Sequence, residues 1–324
     1  MVHAIRFHKP GGPEVLVWEE VSVGKPGPGE ARVRHTAVGL NFVDMYNRSG
    51  LYPQQLPSGL GSEAAGVVEE VGAGVTDLEP GDRVAYGSSP LGAYSEARLI
   101  PAASLLKLPD RIDDKTAAAM MLKGLTAQYL IRQTYRVTAG DTILLHAAAG
   151  GVGLILSQWA KHLGATVIGT VSSEEKAKLA KEHGCAHTII YTREDFVRRV
   201  DEITDGKKVP VVYDSVGKDT FLKSLDCVAP LGIVALFGQS SGAVEPLNLG
   251  LLTQKGSLYV TRPALFTYAA KRENLVAMAN ELFDVVTSGS VKIEVHQTYP
   301  LKDAAKAHAD LAARKTMGST VLLV

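Results

Sequence analysis

A glycine-rich segment, residues 147–153, carries the clearest chemical signal in the sequence. The apolar residues 142–146 before it predict a β-strand, and the pattern of 151–163 predicts a helix that Gly164 ends. Glycines at such a helix start leave backbone N–H groups unobstructed, and the helix adds partial positive charge, so a dinucleotide pyrophosphate can bind there. A turn that only packs helix against sheet is the alternative, since Ala148 stands where the usual fingerprint has its first glycine. The predicted phosphate-binding residues are Ala149, Gly150, Gly151, Val152 and Gly153.

The end of the next predicted strand indicates which nicotinamide cofactor is bound. This strand covers 166–170, and Ser172 follows it roughly 20 residues beyond the glycines, with no carboxylate at the strand tip. An NAD site uses Asp or Glu there for the ribose 2′-hydroxyl, whereas Lys176 has a charge suited to a 2′-phosphate. Glu174 and Glu175 flank the spot and argue the other way, and a lysine at a helix start is often merely solvated. We predict that the cofactor is NADPH.

The bulk composition is that of a globular enzyme. A chain of 324 residues favours two domains with a cleft between them, and 46% hydrophobic and 21% charged residues exclude a disordered protein. Basic and acidic residues number 34 each, so nucleic acid is not expected as the main partner. Two cysteines allow neither a disulfide framework nor a four-thiolate zinc site. Without a signal peptide or membrane anchor in the sequence, we expect a soluble cytoplasmic protein with no membrane partner.

The element pattern changes along the chain. Up to about residue 112, short β segments alternate with Gly/Pro turns, which is typical of a partly open barrel. Residues 113–132 have helical spacing, and from 141 apolar strands alternate with amphipathic helices, which predicts a parallel, doubly wound α/β sheet. The apolar strand predicted over 256–261 would end this sheet as an exposed edge, which favours self-association.

Several segments together resemble the zinc-free quinone oxidoreductases, the ζ-crystallin-like group of the medium-chain dehydrogenase/reductase superfamily. The resemblance implies a doubly wound parallel Rossmann sheet plus a GroES-like, mainly β catalytic domain. It implies a GroES-like catalytic domain at 1–125 completed by 267–324, an NADP-binding Rossmann domain at 126–266, and a homodimer joined through its sheet. The segments that carry it are HKPGGPEV at 8–15, VGLNFVDMY at 38–46, RSGLYP at 48–53, GLGSEAAG at 59–66, the glycine-rich segment, YDSVG at 213–217 and FGQSS at 237–241.

The sequence predicts no metal site. Zinc alcohol dehydrogenases place a cysteine where this chain has Asn41 and a histidine where it has Ser62, and neither replacement is a zinc ligand of the expected kind. The densest remaining cluster is His183, Cys185 and His187. Because Gly184 is expected to end a helix before a strand begins, these side chains should diverge.

The resemblance also implies roles for individual residues. Asn41 and Tyr46 would lie near the nicotinamide, with Tyr52 at the mouth of the substrate site, as the predicted catalytic residues. Tyr46 has the alternative role of a packing tyrosine with a satisfied hydroxyl. Tyr191 has the alternative of an ordinary strand end, and Arg314 that of a solvated helix end. The cofactor-binding residues implied besides the glycine turn are Asn41, Ser172, Lys176, Tyr191, Ser215, Phe237, Gln239, Ser240, Arg262 and Arg314.

These residues predict an NADPH:quinone oxidoreductase that transfers hydride from the nicotinamide C4 to a quinone in the cleft, without a metal. Reduction places negative charge on a carbonyl oxygen, which a phenol or an amide can stabilise as a neutral donor. Since such donors do not titrate near neutrality, we expect weak pH dependence there. Two alternatives stay open: an NADPH-dependent reductase of activated alkenes or enals, and an NADPH-binding structural or regulatory protein.

Overall fold

The computed structural model describes residues 1–88 and 90–324 and divides the chain into two compact units. The first unit contains Met1–Leu125, Ala269–Thr287 and Ile293–Val324. The second contains Thr126–Tyr268 and Ser288–Lys292. In the part of the chain that the structure describes, no helix is both long and apolar enough to span a bilayer.

Short strands dominate the N-terminal part of the chain, as the Gly/Pro punctuation predicts. Most strands here end at or near a glycine or proline, whereas the longest strand leads directly into a short helix. Its elements are β1 (Val2–Phe7), β2 (Val17–Val21), β3 (Glu30–Leu40), α1 (Phe42–Ser49), β4 (Ser58–Gly59), β5 (Glu63–Val71), β6 (Arg83–Gly87), β7 (Ala97–Pro101), β8 (Leu106–Lys107) and α2 (Asp114–Tyr129).

Strands and helices then alternate through the second unit. The strands are short and apolar, with buried valine and isoleucine, as strands covered on both faces require. Its elements are β9 (Thr142–Leu145), α3 (Gly151–His162), β10 (Thr166–Val171), α4 (Glu174–Glu182), β11 (His187–Ile190), α5 (Phe196–Ile203), β12 (Val209–Asp214), α6 (Phe221–Cys227), β13 (Val228–Leu236), α7 (Gly250–Gln254), β14 (Tyr259–Thr261) and α8 (Leu265–Tyr268).

The C-terminal part of the chain completes the first unit with α9 (Arg272–Thr287), β15 (Val295–Pro300), α10 (Ala304–Ala312) and β16 (Ser319–Leu323). There, β16 pairs antiparallel with β3, with Leu322 opposite Val38. The sheet runs in the order β15-β16-β3-β5-β6-β8, and β7 also pairs with β3. A smaller sheet has the order β2-β1-β4. The core between these elements includes Phe7, Leu60, Tyr86, Tyr94 and Leu322, all at most 1% exposed.

The sheet of the second unit is parallel throughout and has the order β11-β10-β9-β12-β13-β14. The chain starts at the centre with β9, moves outward to β11, returns to β12 beside β9 and moves outward to β14. This is the doubly wound arrangement that the alternating pattern predicts, and the strand order reverses between β9 and β12. A Rossmann sheet and a mainly β, GroES-like unit therefore form this chain.

The predicted elements differ from the observed ones where local signals were weak. A strand predicted over 93–99 lies at Ala97–Pro101, because Ser95 makes only an isolated bridge with Ala4. The strand predicted over 233–237 begins earlier, at Val228, and contains Leu231 in a left-handed conformation with φ of 63°. The helix α1, which contains Tyr46, has no counterpart among the predicted elements, since eight residues give too short a pattern to recognise.

Candidate functional site

The glycine turn joins the central strand β9 to α3. Ala147 takes a left-handed conformation with φ of 55°, and the Ala148 N–H donates to the Thr170 carbonyl of β10 at 3.1 Å. The helix begins at Gly151, with Gly150 as its extended N-cap residue. The turn thus ends β9 abruptly and directs the first turn of α3 along the carboxyl edge of the sheet.

Close packing in this turn requires glycine at position 153. A Cβ atom at Gly153 would lie 2.5 Å from the carbonyl oxygens of Ala147 and Ala148, so no side chain fits there. Neither a side-chain cap nor an acidic residue occupies the first turn of α3. The first N–H groups of a helix have no intrahelical acceptor, and a pyrophosphate is a suitable one. The first turn of α3, without an acidic residue or a side-chain cap, therefore suits an anionic pyrophosphate.

Most of the predicted cofactor residues lie directly after strands of the second unit. Because all six strands are parallel, their carboxyl ends share one edge of the sheet, where open sheets bind ligands. The structure brings these predicted residues together along that edge. They are Ala149 to Gly153 after β9, Ser172 and Lys176 after β10, Tyr191 after β11, Ser215 after β12, Phe237, Gln239 and Ser240 after β13, and Arg262 after β14.

The segment after β10 has the features of a phosphate site. Ser173 caps α4 by accepting the Lys176 N–H at 3.3 Å, which places Lys176 in the first helical turn. Glu174, which on sequence grounds opposes a 2′-phosphate, accepts a bond from Arg193 at 2.7 Å. Tyr191 is exposed, and its N–H donates to Val171 at 3.1 Å. Arg193 thus pairs with one of the two flanking carboxylates in an exposed contact, whereas Glu175 is also exposed in the first turn of α4.

Loops after β12, β13 and β14 hold one another by backbone contacts. The Ser240 N–H donates to the Ser215 carbonyl at 3.1 Å, and a Cβ at Gly238 would lie 2.5 Å from that same oxygen. The Arg262 guanidinium donates to the carbonyls of Leu236 at 2.7 Å and Gly238 at 3.0 Å. Arg262 also donates to the Gln239 side chain at 3.3 Å. Arg262 therefore shapes the loop that carries Phe237 and Gln239.

Asn41 lies in the first unit, between β3 and α1. Its main-chain N–H donates to Asp44 Oδ2 at 2.9 Å, as part of a capping box at the helix start. Its side-chain Nδ2 donates to Glu63 Oε2 at 2.7 Å. Lys123 Nζ donates to the same oxygen at 2.8 Å, and the Leu122 N–H donates to Glu63 Oε1 at 2.8 Å. Asn41 is thus attached to a buried ion pair.

Tyr46 and Tyr52 form an aromatic pair at the other end of α1. Their ring centroids are 5.4 Å apart in an edge-to-face contact, and the Tyr52 N–H donates to the Tyr46 carbonyl at 3.1 Å. The Tyr46 ring also contacts Phe42. Tyr52 is exposed and Tyr46 is half-buried. The structure therefore brings the two phenol rings together at one end of this helix. Tyr46 packs against its aromatic neighbours and is also partly exposed.

A series of buried hydrogen bonds connects α1 to His308 and Tyr94. Arg48 Nη1 contacts His308 Nδ1 at 3.0 Å, His308 Nε2 contacts the Tyr94 hydroxyl at 3.0 Å, and that hydroxyl contacts Asp44 Oδ2 at 3.0 Å. Because arginine can only donate, Nδ1 accepts and the His308 proton lies on Nε2. The donors therefore run from Arg48 through His308 and Tyr94 to Asp44. Burial, with Arg48 adding to it, lowers the pKa of His308 to about 3, so the imidazole is neutral.

Asp44 is the last residue of this series of hydrogen bonds and is fully buried. Its Oδ1 has no hydrogen-bond partner. Desolvation outweighs the bonds from Asn41 and Tyr94 and the charge of Lys123, and raises the pKa of Asp44 to about 7. The sequence did not lead us to expect an acid that titrates near neutrality beside the predicted catalytic residues, and Asp44 is such a group.

The clusters considered for metal binding have other roles in the structure. Among the described residues, no group of three or more His, Cys, Asp or Glu side chains is placed to hold a metal ion. His183 Nδ1 contacts the Leu179 carbonyl at 2.9 Å, while the Cys185 thiol contacts Ser157 at 3.3 Å. Gly184, with φ of 104°, separates α4 from β11, and His187 is exposed. Ser62 is buried beside the chain's Glu63.

Arg314 is distant in sequence from the other predicted cofactor residues. It belongs to the first unit and follows α10 in a left-handed turn with φ of 58°. Its side chain is exposed. This position is as compatible with a solvated helix end, the alternative role of Arg314, as with a cofactor contact.

Three residues that contact the predicted site residues or their neighbours were not expected from the sequence. Glu63 and Lys123 hold Asn41, and Arg193 pairs with Glu174. Lys123 and Glu63 are 60 residues apart in sequence, so no local pattern relates them. Arg193 had a local signal, since it stands two residues after Tyr191.

Comparison with known proteins covers the whole chain. Family models described as alcohol dehydrogenase GroES-like domain and zinc-binding dehydrogenase match residues 27–110 and 151–280. A Pseudomonas aeruginosa quinone oxidoreductase is 60% identical to this chain, and the alignment covers 100% of both proteins. A Burkholderia 2-haloacrylate reductase is 52% identical, covering 100% of this chain and 99% of that protein. The crystal structure of Escherichia coli quinone oxidoreductase complexed with NADPH matches with TM-score 0.98 at 53% identity, covering 99% of this chain and 100% of that one.

The raised pKa of Asp44 predicts a specific dependence of stability on pH. The unfolded carboxyl loses its proton near its model value of 3.8, whereas the folded one keeps it to about 7. Asp44 therefore favours the folded state less as pH rises from about 4 through 7. We expect Asp44→Asn to gain free energy of unfolding relative to wild type between pH 5 and pH 8, by on the order of 2 kcal/mol. Urea denaturation at both pH values measures this gain.

Wild type and the Asp44→Asn variant both contain the buried His35 and His308. Because the pKa values of these two imidazoles are lowered, their effect on stability at acid pH is opposite to that of Asp44: it decreases stability as pH falls. Their contributions cancel in the difference between the two proteins. A difference in unfolding free energy that stays constant from pH 5 to pH 8 would show that Asp44 is not protonated in the folded protein at pH 5.

Proposed function

The chain belongs to the quinone oxidoreductases of the medium-chain dehydrogenase/reductase superfamily, and on this basis we infer that it catalyses the NADPH-dependent reduction of quinones. The observation that carries this conclusion is 60% identity along the full length of a quinone oxidoreductase. The glycine turn after β9 supports it independently, because that feature suits a dinucleotide.

The second unit is proposed as the coenzyme domain. NADPH supplies the hydride that reduces the quinone, and the protein contributes binding and orientation. We propose that Ala149 to Gly153 bind the pyrophosphate through the N–H groups at the start of α3. The residues after β12, β13 and β14, namely Ser215, Phe237, Gln239, Ser240 and Arg262, are proposed to line the remainder of the cofactor, with Arg314 as a further candidate.

The 2′-phosphate of the cofactor is proposed to bind after β10 and β11. Ser172 is small and neutral, Lys176 is charged, and Tyr191 is an exposed tyrosine. The Arg193 contact to Glu174 supports this assignment, because it offsets part of the repulsion that the Glu174 carboxylate would exert on a phosphate. These contacts favour NADPH over NADH.

We propose that the first unit provides the catalytic residues, with Tyr46 and Tyr52 beside the substrate and Asn41 beside the nicotinamide. A quinone carbonyl oxygen gains negative charge as it is reduced, and a phenol O–H can donate a hydrogen bond to it without a metal. The edge-to-face contact and the bond from the Tyr52 N–H to the Tyr46 carbonyl hold the two phenols in a fixed relation to each other. Such orientation supplies a large part of the acceleration in reactions of this type.

Reduction of an activated alkene is a second candidate function. It is favoured by one observation, the 52% identity with a 2-haloacrylate reductase over the full length of the chain. The same cofactor can reduce a conjugated carbon, so the fold permits both reactions. A protein that binds NADPH without turnover is the third possibility, and an assay separates the three.

We expect the purified protein to oxidise NADPH with 1,4-benzoquinone or a naphthoquinone at a higher kcat/KM than with 2-chloroacrylate or a 2-alkenal. Loss of NADPH absorbance under identical conditions measures all of these reactions. A higher kcat/KM for an alkene would assign the enzyme to the second function. Tight NADPH binding without turnover of any acceptor would assign it to the third.

Lys176→Ala is expected to weaken NADPH binding by roughly tenfold to a hundredfold, the usual range for a lost charge-assisted hydrogen bond. NADH binding should not change, since NADH lacks the 2′-phosphate. Titration of cofactor fluorescence measures both. Lys178→Ala is the matched control, because Lys178 lies on the same helix and pairs with Glu182. Equal losses of NADPH and NADH affinity in Lys176→Ala would place Lys176 away from the phosphate.

We further propose a cytoplasmic homodimer joined at β14. This strand ends the sheet order, and its Tyr259 is 61% exposed. Phe266 and Leu249, on neighbouring segments in sequence, are also exposed. A strand edge with exposed apolar side chains favours pairing with a second copy. A reducing compartment is supported by Cys185 and Cys227, which are both buried and unpaired.

Tyr259→Glu is expected to convert the dimer to a monomer, because it places charge on the paired edge. Light scattering measures the molar mass. Leu222→Glu provides the matched control, since Leu222 is 54% exposed and lies on the helix α6, which is not a member of the strand order. A dimer that persists in Tyr259→Glu, or a monomeric wild type, would contradict assembly through β14.

A further inference from the structure

The Asn41 side chain has a fixed orientation. Its Nδ2 donates to Glu63 Oε2 at 2.7 Å and to the Gly39 carbonyl at 3.4 Å. Both of these partners can only accept, so the NH2 end of the amide must face them. An amide has two N–H donors, and both are directed into the protein. The carbonyl oxygen has two lone pairs, of which the capping box takes up at most one.

Glu63 is itself held so that it cannot release Asn41. Its carboxylate is fully buried, and Lys123, whose side chain is 6% exposed, donates to the same oxygen that accepts from Asn41. The Leu122 N–H occupies the other carboxylate oxygen. A Cβ atom at Gly39 would lie 2.1 Å from Glu63 Oε2, so only glycine leaves room for the carboxylate. Breaking such a buried pair leaves an unpaired charge, which is strongly unfavourable.

We infer that Glu63 and Lys123 are positioning residues that fix Asn41 as a hydrogen-bond acceptor toward the ligand. This inference rests on the proposed function. The nicotinamide half of NADPH offers donors, namely the carboxamide N–H and the ribose O–H groups, whereas a quinone offers only acceptor oxygens. Asn41 can therefore bind the cofactor but cannot stabilise the negative charge on the quinone oxygen.

This assignment gives different roles to the predicted catalytic residues of the first unit. The sequence allowed a phenol or an amide as the donor to the reduced oxygen. With the Asn41 donors committed to Glu63 and Gly39, the donor role falls to the phenols of Tyr46 and Tyr52. Lys123 supplies the positive charge that keeps the Glu63 carboxylate paired in the interior, and no metal is needed for that purpose.

Asn41→Asp tests the acceptor role, because aspartate has the shape of asparagine but no N–H. It places two carboxyl groups 2.7 Å apart, at the distance that Asn41 Nδ2 and Glu63 Oε2 have now. Two carboxyl groups this close share one proton, which raises one of their pKa values strongly. While the proton is shared, the introduced aspartate donates to Glu63 and presents an acceptor oxygen to the ligand. Once the proton leaves, repulsion displaces the side chain.

We therefore expect Asn41→Asp to bind NADPH within about threefold of wild type at pH 5.5, and to lose roughly tenfold or more by pH 9. Asn41→Ala should be weak at every pH. Adding Glu63→Gln to Asn41→Asp leaves a single carboxylate to pair with Lys123, so the pH dependence relative to wild type should disappear. Fluorescence titration with NADPH measures all four proteins, and each dissociation constant is divided by that of wild type at the same pH.

The normalisation accounts for other groups that titrate. Asp44 accepts the Asn41 N–H, and wild type and the double variant both retain Asp44, as they retain Tyr46, Arg48 and Lys123. Near-UV circular dichroism and melting temperatures at both ends of the pH range identify a variant that has lost its fold. If the double variant does not fold, Asn41→Asp with Lys123→Met replaces it; loss of the lysine charge favours the shared proton, so the fall in NADPH affinity should move to higher pH.

Two results would overturn the inference. A folded Asn41→Asp protein as weak as Asn41→Ala at every pH would show that the ligand needs the N–H of Asn41. A pH profile that is flat in Asn41→Asp, or a slope that survives Glu63→Gln, would remove Glu63 from the positioning role. Failure of wild type to bind NADPH would instead refute the proposed function, so the two failures are distinguishable.

Discussion

Parallel pairing of β9 with β10 and with β12 is the constraint on which the coenzyme-binding residues depend. It brings the loops that follow these strands to one edge of the sheet, and the order of the strands reverses at that point. Residues as distant in sequence as Gly153 and Arg262 become neighbours of the same edge for this reason. The glycine turn can then expose helix N–H groups there, because β9 is central and its end is flanked by strands on both sides.

The first unit is governed by a different constraint, the pairing of buried polar groups. Glu63, Lys123 and Asn41 form one cluster, and Asp44, Tyr94, His308 and Arg48 form another. Both clusters end on α1 or at its start. Leaving such groups unpaired is costly, so each cluster fixes the helix that carries Tyr46. Asp44 is the exception, with one oxygen unpaired, and its raised pKa is the response that burial of a carboxyl produces.

Sequence reasoning succeeded where the signal is local. The strand, glycine turn and helix of 142–163 follow from apolar periodicity and from the conformations that glycine allows. It was less accurate where packing overrides periodicity. The strand Ala97–Pro101 was predicted several residues early, and α1 was not predicted, because a helix of eight residues depends on buried contacts with distant segments rather than on its own pattern.

The sequence by itself determined the class of the protein: the alternation of strands and helices, the glycine turn after β9 and the lack of a carboxylate at the tip of β10 are all readable from neighbouring residues. The roles of the polar residues were decided only by tertiary structure. Whether Asn41 donates or accepts depends on Glu63 and Lys123, which come from β5 and α2. Whether Glu174 repels a phosphate depends on Arg193, beyond the next strand. Hydrogen-bond direction and charge pairing are properties of contacts, and contacts between distant residues exist only after the chain has folded.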